Sequence, residues 1–295
     1  MADTWSPAQA GIKRQAGMKR KRQRAAGWGA NTAGIAVGVL FLLPVAWLAV
    51  SAFKPVRDLG SFPPTLVPLP PTTDNFSAAF VDNNFAPFLL NSLIVGVLTT
   101  IIVVCLGLPA AYGLSRTNMR GRGPILTGLL IVSVFPVIAT IPSLYVVLRS
   151  LDWLNSYQAL VVPYVAFNLP LAIWTMRNSL LPISPQMEEA AEMDGASTFR
   201  TITQIIVPQA LPGIFVAAVL TFVACWQEFL MALSFNSNAA FQTAPVGIAL
   251  FGGAFQLPYG TIFAASLVGL APVLILVIAL RRWVVDGLST GSVKG

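Results

Sequence analysis

Long uncharged windows along this chain are separated by shorter polar and charged segments. A bilayer-spanning α-helix needs about 20 consecutive, mostly apolar residues. The windows predict six such helices, near residues 30–52, 88–114, 124–148, 157–180, 208–232 and 261–282. The window from Phe229 to Leu280 is too long for one span, and polar residues in its first half predict a loop over 234–260. The helices are apolar on all sides, which indicates an all-α integral membrane protein rather than a soluble domain.

The positions of Lys and Arg predict which helix ends face the cytoplasm. If the N-terminus is cytoplasmic, fifteen of the 18 Lys and Arg residues lie in inner segments, and only Lys54, Arg57 and Arg149 lie in outer ones. Membrane proteins carry such an excess on the cytoplasmic side. Both termini are therefore predicted to be cytoplasmic, as is the segment 186–206 between the fourth and fifth helices.

The run KRKRQR lies in the predicted cytoplasmic segment 1–29, just before the first helix. We interpret this run as a topology anchor beside anionic membrane lipid. Nucleic-acid binding and a cleaved signal peptide are the alternatives, and we expect no nucleic-acid partner. The remaining chain is predicted to form a six-helix membrane domain over residues 30–287 and a cytoplasmic tail over residues 288–295.

Few residues of the chain are suited to catalysis or metal binding. There is no histidine, and the two cysteines, Cys105 and Cys225, are not spaced as metal ligands. The GxxxxGK[ST] pattern is absent, so the chain has no P-loop for ATP. We expect no catalytic residue, metal or cofactor. Glu228 is the one carboxylate in a predicted span, whereas ion-driven carriers usually hold several ionisable groups near the bilayer midplane. Energy for any transport is therefore expected to come from another protein.

An acidic stretch follows the fourth predicted helix. Four of the chain's eleven acidic residues lie within seven positions, at Glu188, Glu189, Glu192 and Asp194. Ser184 is predicted to cap a short helix with Pro185 at its first position. The helix dipole favours Glu188, Glu189 and Glu192, which follow early in this helix. We expect the acids to face a partner protein, and an ordinary solvated polar loop is the alternative.

The same stretch predicts a stop and a second short helix. Gly195 is expected to end the first helix with a positive φ, and Ser197 is expected to cap the second. Pro208 is predicted to open the fifth span. The second helix would carry an apolar face outside the bilayer, which indicates a partner, and the face consists of Phe199, Ile202, Ile205 and Ile206.

The spacing in this stretch resembles the EAA motif of permease subunits in binding-protein-dependent ATP-binding-cassette importers. That motif reads EAA, three residues, G, nine residues, I, one residue, LP. The positions in register are Glu189, Ala190, Ala191, Gly195, Ile205 and Pro208. Val207 departs from the usual Leu. The resemblance implies a coupling helix that docks on an ATPase subunit and carries no catalysis.

The resemblance extends to NSLIVGVLTT, AAYGLSR, LPLAIWTMRNSLLPISP and WQEFLMALSF, and the ending DGLSTGSVKG looks like the tail of MalG-like sugar permeases. It implies a multi-pass subunit of a bacterial inner (plasma) membrane importer. The implied partners are a MalF-like second permease, two cytoplasmic ATPases and an extracytoplasmic sugar-binding protein. The loop 234–260 would contact the binding protein, and the tail 288–295 would reach the ATPase interface. A stand-alone secondary carrier and a membrane scaffold are the alternatives.

Three residues near the end of the fifth helix are candidates for a substrate pathway. Glu228 and Gln227 would hydrogen-bond sugar hydroxyls, and Trp226 would offer a stacking plane. Alternatively, Trp226 belongs to the interfacial aromatic belt and Glu228 pairs with the partner subunit.

Overall fold

A computed structural model describes residues 32, 34–117, 119–252 and 257–289, and all regular structure in these ranges is helical. The α-helices of the described residues are α1 (Gly34–Ala52), α2 (Val56–Leu59), α3 (Asp74–Ser77), α4 (Ala86–Arg116), α5 (Arg122–Val134), α6 (Ile141–Ser150), α7 (Gln158–Leu180), α8 (Gln186–Met193), α9 (Thr198–Thr201), α10 (Val207–Trp226), α11 (Leu230–Phe235), α12 (Ala244–Ala249) and α13 (Tyr259–Ser289). Short π-helical or 3-10 turns occupy Ala78–Asp82, Val137–Thr140, Ile202–Ile206 and Ala239–Phe241. The predicted basic segment 1–29 and residues 290–295 of the predicted tail lie outside the described residues.

Five helices in the described ranges are long and apolar enough to cross a membrane. They are α1, α4, α7, the continuous helix Thr198–Trp226, and the part of α13 over Tyr259–Leu280. A sixth span results if α5 and the segment Val137–Ser150 are counted together. The prediction of an all-α protein with about six spans is therefore confirmed. The last helix is longer than predicted, since its backbone continues to Ser289.

The third predicted span, 124–148, is not one straight helix. Its two halves are bent by 87° at a break that follows Val134. Phe135 is extended, with φ −64° and ψ 135°, and Pro136 follows it. A proline disfavours the α conformation of the preceding residue and has no N–H for the helix, which explains why the helix ends at this point.

The fifth span also differs from the prediction of 208–232. It begins at Thr198 and ends at Trp226, so the predicted second short helix is continuous with the span. A π-helical turn, Ile202–Ile206, immediately precedes the α-helix that contains Pro208. Because proline cannot donate a backbone hydrogen bond, the change in hydrogen-bond spacing at this turn accommodates Pro208 within a continuous helix.

Helices α4, α7 and α10 pack pairwise against each other and form the centre of the fold. Small residues allow two of these contacts to be close. A side chain at Gly213 of α10 would collide with Ser179 of α7, and a Cβ at Gly96 of α4 would lie 3.0 Å from the ring of Phe222. Close approach at glycine is typical of helix pairs in membranes, where van der Waals packing holds helices together.

The first half of the predicted loop 234–260 is held firmly on the ends of α4 and α7. The Asn91 side-chain amide donates to the carbonyls of Ala240 and Gln242, both at 2.9 Å. Tyr157 donates its hydroxyl hydrogen to Asn91 Oδ1 at 2.8 Å. Asn236, which is fully buried, donates to the carbonyl of Phe241 at 3.0 Å. The segment 236–243 is therefore an ordered part of the helix bundle.

Candidate functional site

The helix α8, which carries the acidic stretch, lies between α7 and the long fifth span. Its N-cap is Pro185, one residue later than the predicted Ser184, although the amide of Gln186 still donates to Ser184 Oγ at 3.4 Å. At its other end Gly195 has φ +79°, as predicted. The amides of Gly195 and Ala196 donate to the carbonyls of Glu192 and Ala191, at 3.0 and 2.9 Å. This pair of hydrogen bonds is a Schellman motif, which requires the left-handed conformation at Gly195.

The four acids of this stretch do not share one environment. Glu189, Glu192 and Asp194 are exposed, whereas Glu188 is only 9% exposed. The Glu188 carboxylate accepts a hydrogen bond from Arg116 Nε at 2.5 Å and one from the Tyr112 hydroxyl at 2.7 Å. The prediction that the acids face a partner is therefore wrong for Glu188, because its carboxylate faces the end of α4.

The six predicted coupling residues are also divided between the surface and the core. Glu189, Ala190, Gly195 and Pro208 are exposed. Ala191 is buried, and Ile205 packs against the core cluster that contains Met176 and Ile206. The motif thus has an outward part that is available to a partner and an inward part that attaches the segment to the bundle.

The predicted apolar face after Gly195 is only partly exposed. Phe199 is 76% exposed, but Ile206 is fully buried and Ile205 is partly buried, because both lie where the fifth span joins the core. Met193, which the sequence reasoning did not single out, is 89% exposed. Met193 lies at the end of α8, and Phe199 lies in the first turn of the fifth span. Exposed apolar side chains at the end of a membrane-spanning helix are suited to contact with a partner, and Met side chains adapt readily to one. We call Glu189, Met193 and Phe199 the α8–α9 surface.

A second candidate site is a cavity of about 390 Å³ beside the break between α5 and α6. Its lining is mainly apolar, with a few polar groups from Ser133, Tyr164, Asn168 and Glu228. Phe167 adds an aromatic wall. An apolar cavity with a small number of converging polar groups is the usual form of a small-molecule site.

Of the three predicted pathway residues, Glu228 lines this cavity. Its carboxylate accepts hydrogen bonds from the Tyr164 hydroxyl at 2.5 Å and from the amides of Met231 and Ala232 at 2.9 and 3.1 Å. Glu228 therefore lies between helices rather than within α10. Its carboxylate binds two backbone amides in the first turn of α11, whose N-cap residue is Phe229. The sequence reasoning missed Tyr164 and Asn168, whose only signal is their i, i+4 spacing in the apolar middle part of α7.

Trp226 and Gln227 lie in different surroundings. Trp226 is 8% exposed, donates its indole N–H to the carbonyl of Gly269 at 3.0 Å, and stacks on Phe222 with 5.5 Å between ring centroids. These contacts attach α10 to α13. Gln227 is exposed.

Residues 103–290 match the family described as "Binding-protein-dependent transport system inner membrane component". The chain is 39% identical to the sulfoquinovosyl glycerol transport system permease protein SmoH of Agrobacterium fabrum, over 86% of this chain and 89% of SmoH. It is 36% identical to the trehalose/maltose transport system permease protein MalG of Thermococcus litoralis, over 88% of this chain and 94% of that protein. Among solved structures, one chain of a bacterial ABC transporter involved in the import of alginate matches with a TM-score of 0.72 and 18% identity. That match covers 96% of this chain and 100% of the other.

Proposed function

Because the chain belongs to the family of binding-protein-dependent transport system inner membrane components, we propose that it forms half of the transmembrane pathway of a carbohydrate importer. The relatives that it resembles over most of its length are named for sulfoquinovosyl glycerol and for trehalose and maltose. All three compounds carry a sugar, so a di- or oligosaccharide or a glycosyl glycerol is the expected substrate class. The chain is a multi-pass inner membrane protein, and we infer that both of its termini are cytoplasmic.

The α8–α9 surface is the observation that carries the coupling part of this proposal. It combines a carboxylate at Glu189 with two highly exposed apolar side chains, Met193 and Phe199, on a segment whose inward residues are packed in the core. Such a surface suits docking on a cytoplasmic ATPase subunit, which would supply the energy of transport. A charge-assisted hydrogen bond from Glu189 would contribute about 1.5–3 kcal/mol, against about 1 kcal/mol or less for an exposed ion pair.

The proposed assembly contains this chain, a MalF-like second permease, two ATPase subunits and an extracytoplasmic sugar-binding protein. The loop 234–260 would contact the binding protein, and the tail 288–295 would reach the ATPase interface. Transport would proceed by alternating access, in which closure of the ATPases moves α8. ATP hydrolysis belongs to the ATPase subunits in this scheme.

The cavity beside the α5–α6 break is the part of this chain best suited to contact the sugar. Asn168 donates its amide hydrogen to the Tyr164 carbonyl at 2.8 Å, and its carbonyl oxygen is available to accept a hydrogen bond from a sugar hydroxyl. Glu228 offers the remaining lone pairs of its carboxylate. Phe167 provides an aromatic surface beside them. Trp226 and Gln227 do not line this cavity, so any contact that they make with the sugar would lie outside it.

Charge reversal on α8 tests the docking proposal. Glu189→Lys is expected to leave the protein in the membrane but to lower the amount of ATPase subunit that copurifies with it, and to abolish sugar uptake by whole cells. Asp194→Lys is the matched control, because it reverses an exposed acid at the C-cap of α8 that is not one of the six motif residues. Normal ATPase content and normal uptake in the Glu189→Lys strain would mean that the stretch is an ordinary solvated loop.

A further inference from the structure

Glu188 lies next to the proposed docking residue Glu189 but points in the opposite direction. It forms an ion pair with Arg116, and both side chains are 12% exposed. The Tyr112 hydroxyl donates to the second carboxylate oxygen. Charge-assisted hydrogen bonds of this kind are shorter and stronger than neutral ones. We call these three residues the Glu188 clamp.

Arg116 also fixes the turn that leads into α8. Its terminal nitrogen Nη2 donates to the carbonyl of Ile183 at 2.9 Å, and the Ile183 side chain is packed in the same core cluster as Leu114 and Leu180. One guanidinium group thus connects the end of α4, the turn after α7, and α8. In the described part of the chain, the side-chain hydrogen bonds between α8 and a membrane-spanning helix are those of Glu188.

The helix α4 is attached by polar side chains at its other end as well. Asn91 holds the carbonyls of Ala240 and Gln242, and Ser92 Oγ accepts the amide hydrogen of Ala244 at 2.8 Å. Arg116 follows Asn91 by 25 residues in one unbroken helix, which corresponds to about 38 Å at 1.5 Å per residue. A single helix therefore joins α8 to the segment 236–243.

We propose that the Glu188 clamp is a positioning device that makes α4 move with α8 when the ATPase subunits close. The proposal rests on the proposed function. In it, Glu189 and the apolar residues of the α8–α9 surface receive the movement, and Glu188 passes it to α4. Through Asn91 and Ser92, α4 then changes the position of the loop that would contact the binding protein. The same connection works in the reverse direction, so a docked binding protein stimulates ATP hydrolysis through the clamp.

The test uses the assembled complex in liposomes, with the loaded binding protein added or omitted. The variants are Glu188→Gln, Arg116→Gln, the neutral pair Arg116→Gln with Glu188→Gln, and the reversed pair Arg116→Glu with Glu188→Arg. The neutral pair leaves no unpaired buried charge, so it avoids the main cause of misfolding in the single variants. Arg120→Gln is the matched control, since Arg120 is an exposed arginine in the turn between α4 and α5, four residues after Arg116.

The measured quantity is the ratio of ATP hydrolysis with and without the binding protein, beside the ATPase content of the complex. The neutral pair is expected to keep normal ATPase content and basal hydrolysis but to lose stimulation by about tenfold or more, as expected for loss of a charge-assisted hydrogen bond. The single variants are expected to lose stimulation at least as strongly. The reversed pair is expected to recover part of the stimulation. A purely structural ion pair would instead lower ATPase content and basal hydrolysis together.

Two results would overturn the proposal. Normal stimulation in the neutral pair would show that the clamp does not transmit movement, and parallel loss of ATPase content and stimulation would show that it acts in assembly. Failure of the proposed function can be distinguished from failure of the clamp. A wild-type complex without ATP-dependent uptake would reject both proposals. A wild-type complex whose ATP hydrolysis is stimulated by the binding protein, together with variants that are stimulated equally, would reject the clamp alone.

Discussion

Substitutions at Gly195 separate the backbone requirement of α8 from the contact that it makes with a partner. Gly195 has φ +79°, and a Cβ built on it meets no heavy atom of this chain within 4 Å. Within the described structure, the cost of a side chain at this position is therefore backbone strain alone. Ala in the left-handed region costs about 1 kcal/mol, and a β-branched Val costs about 2 kcal/mol. Asn adopts this region much more readily than either.

These costs set the expected size of the effect on docking. If the strain opposes the docked conformation of α8, 1–2 kcal/mol lowers the population of that conformation by roughly 5- to 30-fold. ATPase copurification and sugar uptake are therefore expected to fall in the order Asn, Ala, Val, with the Asn variant closest to the wild type. The assay is the ATPase content of complexes purified at equal membrane expression.

Two outcomes would refute this reasoning. A Gly195→Val complex with normal ATPase content and uptake would show that the Schellman motif is not needed for docking. A Gly195→Asn complex as poor as Gly195→Val would show that the size of the side chain at the partner surface decides the result, rather than the left-handed backbone.

Three further predictions concern the cavity, the helix packing and the orientation. Glu228→Ala is expected to weaken uptake more than Glu228→Gln. It is also expected to lower the stability of the complex by about 0.5–2 kcal/mol, because it removes the acceptor of two first-turn amides of α11, as loss of an N-cap side chain does. Dissociation of the complex would favour a subunit-pairing role for Glu228. Gly213→Val is expected to reduce the yield of folded protein, because overpacking against Ser179 costs about 1–3 kcal/mol. Gly128→Val is the control and is expected to express normally, because a Cβ at Gly128 meets no atom within 4 Å. Equal yields of the two variants would contradict the close α7–α10 contact. In a background without Cys105 and Cys225, Thr198→Cys is expected to react with a membrane-impermeant thiol reagent only from the cytoplasm and Ala239→Cys only from outside, and the opposite labelling would invert the assigned orientation.

The sequence was sufficient to predict the spans because each is an apolar segment of bilayer length. It did not predict the break after Val134, although Pro136 lies there. Proline alone does not mark such a break, since Pro109 and Pro212 lie inside continuous helices. In those helices the backbone continues past the proline, so the presence of a proline does not by itself locate a break.

The backbone features of the α8–α9 segment could be predicted from the sequence, but the directions in which its acidic side chains point could not. The positive φ of Gly195 and the cap at Ser197 follow from local backbone chemistry, and both predictions are confirmed. The different surroundings of Glu188 and Glu189 depend on contacts with residues of α4 that lie more than 70 positions earlier in the chain. The contact of the Glu228 carboxylate with the first turn of α11 similarly depends on where α10 ends, which its apolar sequence did not indicate.

The most direct test of the central claim is uptake of a radiolabelled sugar by proteoliposomes that contain the assembled complex and its binding protein. A sugar identified in the copurified binding protein serves as the substrate. We expect uptake only when ATP is present on the side of the ATPase subunits, and none when those subunits carry a substitution that prevents hydrolysis. Uptake that continues without ATP hydrolysis, or that follows an imposed proton or sodium gradient, would contradict the account and favour a secondary carrier.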